Sequence, residues 1–282
     1  MIARGEFFSM EMLIDVREMT FNEMLDRSKA IDKWKGELKE LCAELNQSVV
    51  IQSEDIFSKI KKLVVFDLES TLLDPVSLKD FMEQIKGKIR SMGRPIRFQD
   101  DGKGGMETIA ENARTLRGMS VTDFERFGDI LQLPPGSVEL IRVLKSMGFK
   151  IALLSSGFGL LIKKVLQQAG VDYAFSNTLQ VDNDRVITGE LEEPVITDNT
   201  KKEILEFIMN VEKIGSDQVI AIGDGSTRSH FIKNAGLSIA FKPGKESIQT
   251  DGFLSSDQIM NLLYCLGIPK RDLNRYVADI VG

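Results

Sequence analysis

Lys62-Leu63-Val64-Val65-Phe66-Asp67-Leu68-Glu69-Ser70-Thr71 is the stretch that decides the fold. Its apolar run, Leu63 to Phe66, does not alternate with polar residues, so neither face of the strand it predicts can look at water. A strand of that kind belongs in a parallel sheet covered by helices on both sides. It ends on an acid, and a hydroxyl-rich segment follows at once.

Working outward, the same pattern returns. Lys150 to Leu154, Gln218 to Ile222 and Leu237 to Phe241 read as further buried strands. Between and after them, Leu160 to Ala169, Lys201 to Met209 and Thr227 to Asn234 carry apolar residues at helical spacing. Strands alternating with helices predict an α/β fold built on a doubly wound parallel sheet. Ligands of such sheets bind beyond the carboxyl ends of the strands. Here those ends carry Asp67 to Thr71, Ser155-Ser156-Gly157 and Gly223-Asp224-Gly225, a rim of carboxylates, hydroxyls and glycines.

The rest divides around that core. Ser77 to Leu131 is a helical stretch broken by the turn Gln99 to Gly105, and Pro134-Pro135-Gly136 closes it. This predicts a helical cap at 77–132, inserted into a core made of 61–76 and 133–282. Tyr173 to Leu191 reads as a hairpin around Asn183-Asp184. Residues 1–60 form a small α+β block: a strand at Phe7 to Val16, an amphipathic helix from Phe21 to Leu45 and a short strand at Ser48 to Ile51.

Composition removes several functions. With 36 basic and 42 acidic side chains the net charge is −6, and no basic surface points to nucleic acid. No run of about 18 apolar residues could span a bilayer. The N-terminus lacks the pattern of a signal peptide, so a cytoplasmic protein is expected. Cys42 and Cys265 are the only cysteines and His230 the only histidine, which excludes a disulfide framework and multi-histidine metal sites. The chemistry falls to carboxylates, hydroxyls and lysines.

An aspartate at a strand exit can attack phosphorus and divide a hydrolysis into two easier steps. Its charge must be offset, and Mg²⁺, held by one or two carboxylates such as Asp67 and Asp224, suits that task. A lysine opposite adds positive charge. Serine hydroxyls at the second strand exit, Ser155 and Ser156, and backbone amides can hold phosphate oxygens.

FDLEST at 66–71, LLSSGF at 153–158, the lysine of DNTKKEIL at 198–205 and AIGDGS at 221–226 resemble, in order, the motifs of the haloacid dehalogenase superfamily. The similarity is greatest to its phosphoserine phosphatase-like branch and spans roughly 61–267, GLSIAFKPG at 236–244 included. The resemblance implies a HAD-like, Rossmannoid core with an inserted cap. It also implies a Mg²⁺-dependent phosphatase acting through an aspartyl-phosphate on a small phosphorylated metabolite. Asp67 matches the nucleophile, Ser155 the phosphate-binding hydroxyl, Asp224 a magnesium ligand and Lys201, rather than Lys202, the charge-balancing lysine. Glu69 is expected as acid/base and, with Asp67 and Asp224, as a third metal ligand.

Two motifs depart from the family. Glu69 stands where the first motif has a second aspartate, and Thr227-Arg228 stands where the last has Asn-Asp. Asn112 and Val76 occupy the places of the arginine and glutamate that recognise phosphoserine, so phosphoserine itself is disfavoured as the substrate. These departures also support an alternative, a weak or inactive relative that binds a phosphorylated ligand as a regulator. The N-terminal block resembles half of an ACT domain, whose open edges predict pairing with a second copy, a homodimer.

Overall fold

The computed structural model describes residues 12–14, 26–99, 105–225, 227–243, 250–266 and 276. The strand expected at Phe7 to Val16 lies outside them apart from 12–14, which are in no regular element. Residues 21–25 of the expected first helix also lie outside. The strands are β1 (Val49–Val50), β2 (Leu63–Asp67), β3 (Lys150–Phe158), β4 (Tyr173–Asn177), β5 (Leu179–Val181), β6 (Ile187–Leu191), β7 (Val219–Gly223), β8 (Leu237–Phe241) and β9 (Gly252–Leu254). The main helices are α1 (Arg27–Glu44), α2 (Pro75–Ser91), α3 (Met106–Leu116), α4 (Val121–Gly128), α5 (Ser137–Ser146), α6 (Leu160–Ala169) and α7 (Thr200–Glu212).

Seven strands form one sheet in the order β1-β9-β8-β7-β2-β3-β4, parallel throughout except for the β1–β9 pair. All five residues of β2 are buried, as the unbroken apolar run requires. Side chains alternate across the sheet. Val64 and Phe66 join a core with α5 and the cap helices, whereas Leu63 and Val65 join a smaller core with Leu205 and Ile208 of α7. The parity of β2 therefore turns Asp67 toward α7.

The cap helices form for local reasons. Pro75 occupies the first turn of α2, and Asp74 caps it by accepting from the Ser77 amide at 2.8 Å. Phe81, Ile85 and Ile89, four residues apart, make its buried face. Ser120 caps α4 in the same way, accepting from Asp123 N at 3.0 Å. The two crossings between cap and core are stitched together, because Asp74 N donates to Gln132 O and Gln132 N to Ser77 Oγ, both at 2.9 Å.

Two readings of the sequence need correction. Tyr173 to Leu191 is not one hairpin: β4 is the edge strand of the main sheet, and only β5 and β6 pair as a hairpin. Both halves are strand-rich, so composition could not separate them. That hairpin lies on the cap, with Gly118 N donating to Ile187 O at 2.8 Å and Ile187 N to Met119 O at 2.9 Å. Thr227–Asn234 is a 3-10 helix, not an α-helix, and β9 had no counterpart in the sequence reading.

β1 joins the core sheet by pairing with β9, where Gly252 has no Cβ to strike Val49 O, which would lie 2.4 Å away. Lys39 of α1, itself buried, donates to Thr250 O at 2.7 Å and fastens the first helix to the same edge. Leu41 and Leu45, expected on the apolar face of that helix, are 51% and 62% exposed. No helix among the described residues is long and apolar enough to cross a membrane.

Candidate active site

Asp67 ends β2 and occupies the N-cap position of the short turn Leu68–Thr71, yet its side chain makes no capping bond there. The carboxylate, nearly sealed from solvent, meets the ammonium of Lys201 at 2.9 Å. Lys201 is brought there by the period of α7, since Lys201, Leu205 and Ile208 are its buried residues and share one face. Lys202 points away, is exposed and pairs with Glu206 at 3.7 Å.

Three acids surround Lys201. Asp67 Oδ1 is at 2.9 Å and Asp198 Oδ1 at 3.1 Å, and Glu69 also acts on it through space. Burial is the largest single influence and pulls the pKa down. The three carboxylates together outweigh it and hold the ammonium above its ordinary value. Its ammonium also lies over the Phe231 ring, with Nζ 5.9 Å from the centroid.

Glu69 does not face the same way as Asp67. Its Oε1 accepts from the Ser155 hydroxyl in a short contact and from Gly157 N at 2.8 Å. Gly157 N also reaches Ser155 Oγ at 3.1 Å. The exit of β3 thus presents a hydroxyl and an amide converging on a single anionic oxygen. Ser156 is turned elsewhere: its carbonyl accepts from Asn177 Nδ2 at 2.8 Å, and its side chain acts on Asp198.

Asp224, half-buried, follows β7, the strand beside β2. Phe66 is in register with Ile222, so Asp67 is level with Gly223 and Asp224 comes one residue beyond. Ser226 and the side chains of Thr227, Arg228 and His230 lie outside the described residues. Among the described residues, no group of three or more His, Cys, Asp or Glu is gathered closely enough to hold a metal ion. Glu69, expected as the third ligand, gives its Oε1 to Ser155 and Gly157 instead. Asp67 and Asp224 are carboxylates of the kind and number with which Mg²⁺ is commonly held, and in that respect fit the ion.

Two buried polar residues of the site were missed in the sequence. Asp198 pairs with Lys201, and burial pushes its carboxyl above the ordinary value against the pull of that lysine. Asn177, at the end of β4, makes three bonds: Nδ2 donates to Ser156 O and Ile196 O, both at 2.8 Å, and Oδ1 accepts from Ile196 N at 2.7 Å. It ties the exit of β3 to the loop leading into α7. The acid of Thr-Asp-Asn-Thr-Lys, three residues before the lysine, was the available signal for Asp198; Asn177 offered none.

On the cap, Asn112 is spent on backbone. Its side chain exchanges two bonds with Gln99, accepting from N at 2.8 Å and donating to O at 3.1 Å. Val76 is 68% exposed. Neither supplies a charge to a substrate.

The profile of the haloacid dehalogenase-like hydrolases matches residues 64–227. Phosphoserine phosphatase of Archaeoglobus fulgidus is 31% identical over 273 residues, covering 94% of this chain and 74% of that protein. Phosphoserine phosphatase of Methanocaldococcus jannaschii is 32% identical over 184 residues, covering 65% and 86%. A substrate-bound phosphoserine phosphatase structure aligns with a TM-score of 0.59 at 27% identity, over 73% of this chain and 98% of that one. The chain belongs to the haloacid dehalogenase-like hydrolase family, in its phosphoserine phosphatase-like branch.

Proposed function

We propose that the chain is a Mg²⁺-dependent phosphomonoester hydrolase, or phosphotransferase, that works through an aspartyl-phosphate on Asp67. The observation that carries this reading is the buried Asp67–Lys201 pair beside the Ser155 hydroxyl and the Gly157 amide. A carboxylate oxygen of Asp67 attacks phosphorus as the bond to the ester oxygen breaks, and the leaving alkoxide takes a proton from an acid. Glu69 is the candidate for that acid once its carboxylate has left Ser155 and taken a proton from solvent. Water then attacks the acyl phosphate, gives its proton to the same group and releases inorganic phosphate. Lys201 balances the charge that accumulates on the phosphoryl oxygens. Asp67 and Asp224 would hold Mg²⁺, which when bound supplies further charge neutralisation.

The substrate class is a small phosphorylated metabolite, with phosphoserine itself disfavoured. What supports this is the cap, where Asn112 is tied to Gln99 and Val76 offers no carboxylate. A homodimer formed through the segment before residue 61 is part of the same proposal. Exposed Met12, Leu13, Leu41 and Leu45 support it, and sedimentation of the full chain tests it.

Turnover of an aryl phosphate and a metabolite panel, with and without Mg²⁺, tests the enzyme reading. Metal-dependent release of phosphate that disappears in Asp67→Asn is expected; its absence from the native chain on every substrate sinks the reading. The seat of Glu69 on Ser155 and Gly157 favours a second reading, a phospholigand-binding regulator without turnover. Binding of phosphate with no hydrolysis would select it.

A further inference from the structure

Glu69 Oε1 sits where two donors converge, the Ser155 hydroxyl and Gly157 N at 2.8 Å. The Lys201 ammonium is near enough for the Glu69 charge to raise its pKa. A hydroxyl and an amide aimed at one point beside a buried cation make a seat for an anionic oxygen. Carboxylate and phosphoryl oxygens are acceptors of the same kind, and one seat cannot hold both.

We propose that Glu69 is an internal occupant of the phosphate cradle, whose carboxylate fills the seat until a phosphoryl group displaces it. The inference rests on reading Ser155 and Gly157 as the phosphate-binding groups. Because the competitor is tethered, its effective concentration is on the order of millimolar or more. The cradle is open for only a fraction of the time, and the apparent Kd of any phospholigand rises by the inverse of that fraction. Displacement has a second effect: it frees the carboxylate two residues from Asp67. Arrival of the phosphoryl group thereby converts Glu69 from occupant to a free carboxylate that can take up and pass on a proton. A fully charged phosphoryl group displaces it more readily than a singly charged oxyanion does.

Side-chain reach separates this device from simple repulsion. An aspartate at the same place ends about 1.5 Å short, roughly one bond length, while keeping its charge. Glu69→Asp therefore empties the seat, and Glu69→Ala empties it and removes the charge.

The test is calorimetric titration of the full chain with inorganic phosphate, without added metal, for the native protein, Glu69→Asp, Glu69→Ala and Glu69→Ala/Ser155→Ala. Both single variants are expected to bind phosphate about ten-fold more tightly than the native chain. The double variant is expected to lose that gain. A gain in Glu69→Ala without one in Glu69→Asp reduces the effect to charge and overturns the proposal. Equal affinity in all single forms, a gain that survives Ser155→Ala, or no binding by any form also overturns it. Should Glu69→Ala fail to fold, Glu69→Asp against the native chain decides. Should Glu69→Asp fail, Glu69→Gln, which keeps the reach and loses the charge, takes its place, and a gain as large as that of Glu69→Ala overturns the proposal. The readout needs no turnover, so the two readings fail separately. Tighter phosphate binding in a chain that hydrolyses nothing removes the enzyme and keeps the occupant, whereas turnover without the gain does the opposite.

Discussion

Lys201 and Asp67 are 134 residues apart in the chain, and their side chains meet at 2.9 Å in the interior. Asp198 approaches the same ammonium from three residues away at 3.1 Å. One buried cation therefore serves two buried acids.

Removing the cation takes from both acids the ion-pair partner they share. Lys201→Met is expected to destabilise the fold by about 3–5 kcal/mol at neutral pH, the usual cost of breaking a buried ion pair from one side. Urea unfolding measures it. The raised lysine pKa adds a pH signature. Stability from this pair is complete below the ordinary lysine value, about 10.4, and declines as pH climbs through the higher folded value. Above neutrality the gap between native and variant should narrow only in that alkaline window, and a gap that closes between neutral pH and that window contradicts the assignment.

Asp198 predicts the opposite trend at acid pH. Its carboxyl is pushed up by burial, so below the ordinary aspartate value of about 3.9 it is protonated folded or unfolded and costs nothing. As pH rises through the folded value, the native chain must ionise a buried acid and loses stability. Asp198→Asn escapes that loss. The unfolding midpoint of the variant should gain on the native one as pH rises above about 4, and a flat or reversed difference would show that Lys201 already compensates the charge.

Asn177→Ala removes three bonds at one buried point and strands two carbonyls and an amide. A cost of about 3 kcal/mol is expected. The Ile196 amide should then exchange its proton faster than amides in the centre of β2, a comparison open to hydrogen-exchange mass spectrometry. Unchanged protection there would mean that the loop is held by something else.

Gly189→Ala tests the seat of the hairpin on the cap. Gly189 has φ of +87°, and an added Cβ would come within 2.9 Å of Arg117 Cβ and 3.2 Å of Arg114 Cα. Backbone strain and overlap together should cost about 2 kcal/mol. Thermal unfolding at two wavelengths, or proteolysis within the cap, reads the loss. A variant as stable as the native chain would mean that the hairpin can lift away cheaply.

The strands that carry the site were legible because each is an unbroken apolar run ending on polar residues: β2, β3, β7 and β8 fall within a few residues of their expected bounds. The choice of Lys201 over Lys202 was also accessible, since only one of two adjacent helical positions can share a face with Leu205. Other features depend on tertiary contact. β9 is three residues long, with too little pattern to register, and its pairing with β1 depends on a glycine that the chain order does not link to Val49. Asn177 works through loops joined only in space. The direction of Glu69 was hidden for a different reason: a glutamate near a strand exit reads as an acid for chemistry, and only coordinates reveal which donors its extra methylene reaches.

The β5–β6 hairpin leaves the core just after Asn177 and returns just before Ile196, the two residues whose mutual bonds brace the approach to Lys201. Its far end is hydrogen-bonded to the cap. Mechanically it is a lever with its fulcrum on the loop before Lys201. The lever thereby links the turn between α3 and α4 to the loop before Lys201 through the peptide chain itself.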